Sequence, residues 1–118
     1  MQDITLGFSA ADLSQLAWSL GINLQRMWAA GARAPAILYA LKHLQAHCDG
    51  ARTRDGKGFS RYWTRWGHWL ASQQALTSLQ AAIGQYIVHR HRRQIPPQLL
   101  AAAVGDLSLA DPKGGVNK

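Results

Sequence analysis

Glutamate is absent from this chain, and aspartate occurs only six times in 118 residues. Those six, Asp3, Asp12, Asp49, Asp55, Asp106 and Asp111, are scattered. A site built on paired carboxylates, for acid–base work or for two metal ions, would therefore have to rest on Asp49 and Asp55. Both precede a glycine, where turns favour aspartate for backbone reasons alone. The lone Cys48 excludes an internal disulfide and fits a reducing, cytoplasmic setting. No apolar run approaches the roughly 18 residues of a membrane span, and no basic-then-apolar leader opens the sequence. Strand formers are scarce as well. Three Val, six Ile and four Thr stand against nineteen Ala and fifteen Leu, which weights the chain toward an all-α fold.

The length suits one domain that buries about two-thirds of its unfolded surface without staples. The expectation is a small bundle of about five helices spanning residues 1–105, followed by a polar, glycine-rich and flexible tail over 106–118. Charge is concentrated. Between Lys42 and Arg93 lie nine Lys and Arg against two Asp, which accounts for the whole net charge of +7, and all five His fall in the same window.

Ser9 and Asp12 ahead of Leu13, Leu16, Ala17 and Leu20 predict a capped amphipathic helix over Ala10 to Leu20. A short second helix is expected over Ile22 to Ala30, and Pro35 suits the first turn of a third. In that third helix Ile37, Leu41, Leu44 and Cys48 share one face, which makes Cys48 a buried structural thiol. Asp49 to Phe59 reads as loop, with Gly50, Gly56 and Gly58. The last two are expected to hold backbone angles or close approaches that a side chain would block. Ser60 is placed to cap a helix running to about Ser72. A uniform 100° per residue puts Trp63, Trp66 and Leu70 on its core side and Arg61, Arg65 and His68 opposite, with Tyr62 and Trp69 on the boundary. Thr77 caps the last long helix, whose core stripe is Leu79, Ile83, Tyr86 and Ile87 and which ends in His89 to Gln94. Pro97 to Val104 closes as a short helix before Gly105.

Arg52, Arg54, Lys57, Arg61 and Arg65 interleave with aromatics, a pattern that neutralises phosphates and stacks on bases. Tyr62 and Trp69, beside the arginine stripe, are the stacking candidates. Arg90, Arg92 and Arg93 suit either a phosphate or the dipole of a solvated helix end. These ten residues form the expected nucleic-acid surface.

The same passage resembles a segment of phage- and plasmid-encoded proteins, often beside helicase or primase-like domains, of the form CDGA, DGxGF, GHxLA, LT, QA and RRQ(L/I)P. The matching residues are Cys48 to Ala51, then Asp55, Gly56, Gly58 and Phe59, then Gly67, His68, Leu70 and Ala71. Leu76, Thr77, Gln80, Ala81 and Arg92 to Pro96 complete the match. It covers under half the chain, and Trp63 replaces an acidic residue before Thr64. The resemblance implies the company of DNA-processing machinery in mobile elements and no catalytic role.

Gly50 to Lys57 falls short of a nucleotide-binding loop: its glycines are one residue too far apart, Gly58 replaces the Ser or Thr, and a helix precedes it instead of a strand. His43 and His47 have metal-ligand spacing with Asp49 nearby, but no glutamate and no further ligand set accompany them. The expectation is thus a cofactor-free accessory protein that is not an enzyme, with a metal-assisted nuclease as the minority reading. It binds DNA or RNA without a membrane, in the company of a helicase, primase or ribonucleoprotein complex. The alternative is a helical interaction subunit of a replication, conjugation or interference complex, since arginine with aromatics serves protein interfaces equally well.

Overall fold

The computed structural model describes residues 8–46 and 58–105. Within them the chain forms six α-helices and two 3-10 turns, with no strand among the described residues. Ser9 opens α1 (Ala10–Ser19) through a capping box with Asp12, each side chain bonding the other's backbone N–H. Asn23, not Ile22, starts α2 (Leu24–Gly31), its side chain accepting from the Arg26 N–H. Proline sits in the first turn of α3 (Ala34–Ala46). The passage expected as one helix from Ser60 is split into a 3-10 turn, Arg61–Trp63, and α4 (Thr64–Ala71). Thr77 and Gln80 form a second capping box at the head of α5 (Ser78–Arg90). A further 3-10 turn (Arg92–Gln94) leads to α6 (Pro97–Val104), which Gly105 terminates at φ 75°.

The core is arranged around α5, which packs against every other α-helix. Its burial is correspondingly wide: Ala81, Ala82, Ile83, Gly84, Gln85, Ile87 and Val88 are all buried, while Leu79 and Tyr86 of the expected stripe are only half-buried. A single stripe was expected because alanine and glycine carry little hydrophobic signal. In a central helix those small residues are what let neighbours approach. A Cβ on Gly84 would stand 3.0 Å from both Ile37 and Leu41 of α3. Gln85, also buried, donates to the Ala103 carbonyl and anchors the end of α6.

Three cations complete helix C-termini. Arg33 donates to the Ala101 and Ala102 carbonyls of α6, Lys42 to the Ala71 carbonyl of α4, and Arg92 to the His89 carbonyl of α5. Each satisfies orphan carbonyls and meets the negative end of a helix dipole. Part of the basic character is therefore spent on the fold itself. No helix among the described residues is long and apolar enough to cross a membrane.

Phe59, expected as the last loop residue, is 1% exposed and belongs to the core. It lies on Gly67 so closely that any Cβ there would overlap the ring. We expect Phe59→Ala to cost about 3–5 kcal/mol, the usual penalty for emptying a buried aromatic site. Gly67→Val should be at least as damaging, because neither the ring nor α4 has room to retreat. Urea melts of both variants check this; a Gly67→Val midpoint equal to wild type would contradict the packing described.

Candidate nucleic-acid interface

The surface is held by a joint between residues 58–60 and the end of α5. Gln94 Nε2 donates to the Gly58 carbonyl at 3.0 Å, and Gln94 Oε1 accepts from the Gly58 N–H at 2.6 Å. One side-chain amide thereby satisfies both backbone groups of a buried residue, as a paired strand would. Gly58 adopts φ 75°, a conformation natural to glycine. Its role belongs to folding as much as to any ligand. Two residues on, the Ser60 N–H donates to His91 Nε2 at 2.9 Å. The opposite nitrogen, Nδ1, lies 2.7 Å from the Ile87 carbonyl, which can only accept, so the ring is neutral with its proton on Nδ1.

Phe59 sits between these contacts with its ring edge-on to both His68 and His91. From α3, His43 Nε2 reaches the Gln94 carbonyl at 3.1 Å and Gln45 donates to His68 Nδ1 at 3.2 Å. The joint thus binds α3, α4 and α5 to the short segment that precedes Arg61.

His68 was expected beside Arg61 and Arg65. It turns instead toward α3 and Phe59, and is half-buried. Arg65 and His68 both lie in α4, so the difference comes from which side of that helix is buried: Gly67, next to His68, faces the core and brings His68 round with it. Gly67 and Ala71, not Trp66, share the buried face with Trp63 and Leu70. Trp66 is half-buried and lies flat against Phe8, while Trp69 meets Phe8 edge-on.

Of the expected contact residues, Arg61, Tyr62 and Arg65 are exposed on the 3-10 turn and first turn of α4. Tyr62 keeps 68% of its surface open, with its ring at right angles to Trp63. Trp69 is half-buried. The Arg65 guanidinium lies 4.9 Å from the centre of the Phe8 ring. Arg90, Arg92 and Arg93 are exposed around a shallow concavity of about 330 Å³, which His91 and Gln94 also line. The bond from Ser60 to His91, 31 residues apart in sequence, ties the residue before Arg61 to that arginine turn. Arg52, Arg54 and Lys57 lie outside the described residues, as do Cys48, the loop glycines Gly50 and Gly56, and the His47 and Asp49 partners considered for His43. Among the described residues no group of three His, Cys or Asp is placed to hold a metal ion.

Asp12 is the one side-chain carboxylate among the described residues, and it accepts from the Ser9 N–H at the head of α1. The joint residues His91 and Gln94 were read from sequence as part of the basic end of α5, either solvated or in contact with phosphate. Gly58 and Gln94, which the expected DGxGF and RRQ(L/I)P patterns contain, touch here. No protein-family model, curated protein or solved structure matches the chain.

Burial holds the His91 pKa below the ordinary histidine value, helped by the Arg90 charge and opposed by the bond to Ile87. The unfolded chain therefore takes up a proton more readily than the folded one. This contribution to stability is complete above the unfolded value of about 6.5 and is lost as pH falls below it toward the lower folded value. Protonation would also turn Nε2 into a donor facing the Ser60 N–H. Denaturation midpoints should drop between pH 7.5 and 5.5, and His91→Gln should flatten that part of the profile. Imidazole titration by NMR with a His91 value above 6.5 would contradict the joint.

Proposed function

We propose that the chain is a small basic nucleic-acid-binding protein whose contact surface is the edge formed by Arg61, Tyr62 and Arg65 together with Arg90, Arg92 and Arg93. The observation that supports this reading is the bond that ties the residue before Arg61 to the arginine turn, with Tyr62 exposed between cations and Asp12, the single carboxylate among the described residues, already engaged as a helix cap. Arginines there act on phosphate and Tyr62 on a base face, which needs no catalytic group. Arg52, Arg54 and Lys57 precede Gly58 in the sequence and add three positive charges to the chain. The resemblance to phage- and plasmid-encoded segments supports a place in a mobile element, in the company of a helicase, primase or ribonucleoprotein complex.

A second reading rests on a separate observation. Trp18 and Trp28 are 86% and 78% exposed, and Leu24, one turn before Trp28, is open as well. Large apolar side chains left in water on α1 and α2 favour a helical interaction subunit. Under that reading Trp28→Ser abolishes complex formation.

Oligonucleotide titration at several salt concentrations tests the first reading. If about five phosphates are neutralised, the logarithm of affinity for a single strand should fall with a slope of roughly −3.5 against the logarithm of salt. Arg61→Gln or Arg93→Gln should each make it shallower by about 0.7. Absence of binding at 50 mM salt would leave only the interaction-subunit reading.

A further inference from the structure

Phe8, immediately before the cap of α1, lies parallel to the Trp66 indole, with ring centres 3.5 Å apart and planes within 5°. Protein aromatic pairs ordinarily meet offset or edge-on with centres farther apart. A full overlap at this distance matches the spacing of successive bases along a strand, about 3.4 Å. The Arg65 guanidinium lies over the same Phe8 ring, and Trp69 closes one side edge-on. Phe8 therefore occupies a flat site bounded by an indole face and a guanidinium, the two surfaces on which unpaired bases stack.

Beside the ring a groove of about 340 Å³ runs between α1 and the start of α4, lined by Asp12, Gln15, Ser19 and Tyr62 among others. These bring hydrogen-bonding groups to the edge of the flat site, where a phenyl ring has none to match and a base does. The hydrogen bonds that begin α1 run through Ser9 and Asp12, and Phe8 takes part in none of them. Its ring can leave without unwinding the helix.

We propose that Trp66 and Arg65 form a slot for one unpaired nucleobase, which Phe8 fills in the free protein and vacates when a single strand binds. This rests on the nucleic-acid reading and gives it a ligand class and a built-in competitor. It also reverses the roles expected for the tryptophans: Trp66 supplies the stacking face and Trp69 the wall.

The experiment uses the full chain as wild type, Phe8→Ala, Trp66→Ala and the double variant. Each is titrated by fluorescence anisotropy against a labelled single-stranded oligonucleotide and the corresponding duplex at fixed low salt. Circular dichroism verifies folding. Removing the competitor should tighten single-strand binding by at least about fivefold, the lower end of what one stacked base contributes. Duplex binding should stay unchanged, and the double variant should lose the gain. Phe8→Leu, which keeps apolar cover without a flat face, replaces Phe8→Ala if the latter fails to fold and should also tighten binding. Adenosine monophosphate as competitor separates a slot that takes a free nucleotide from one that takes a base only within a strand. If wild type binds single strands while folded Phe8 variants bind equally or more weakly, the slot is overturned and the phosphate surface stands. If no form binds any oligonucleotide, both fall.

Discussion

The interaction on which this structure depends is the grip of one glutamine side chain on one glycine. Gln94 satisfies both backbone groups of Gly58 and so ties residues 58–60 to the 3-10 turn that follows α5. His91 and Phe59 then follow from that placement. The Ser60 amide meets an imidazole whose tautomer Ile87 has already set, and the Phe59 ring enters a space that only a glycine at 67 leaves open. A buried polar network of this kind stabilises only when complete, since each missing partner leaves a desolvated donor or acceptor behind. Its conformational output is the direction in which Arg61 and Tyr62 leave the joint.

Cations serve two different purposes in the molecule. Arg33, Lys42 and Arg92 complete helix ends, where carbonyls would otherwise lack partners. Arg61, Arg90 and Arg93 are presented to solvent. Asp12 is the one side-chain carboxylate among the described residues, so within them these charges meet little compensation. Net charge alone would not distinguish the two purposes; a bond to a helix-terminal carbonyl does, and Arg92 makes one while remaining exposed.

Much of the helical layout could be read from local chemistry. Ser9, Thr77, Pro97 and Gly105 mark element ends through capping and backbone restriction, and all stand where those rules put them. Asn23 obeys the same rule but was passed over because Ile22 drew the helix start toward itself. The α5 interior was harder to see. Alanine and glycine at 81, 82 and 84 are buried because neighbouring helices come close, which is a tertiary fact without a hydrophobic signature. For the same reason Trp66 was assigned to the core and Gly67 ignored: size suggested burial, whereas space decided it. Phe8 could not be connected with α4 from sequence, because their meeting depends on how α1 lies across the bundle.

The joint also has a place in time. Gly58 and Gln94 are 36 residues apart, whereas α4 and α5 follow one another and can pair early. Closing the longer circuit requires the ordering of everything between, so the contact arrives after the hairpin it secures. The direction in which Arg61 leaves the core is therefore set by a contact that exists only once residues 36 positions apart have been brought together.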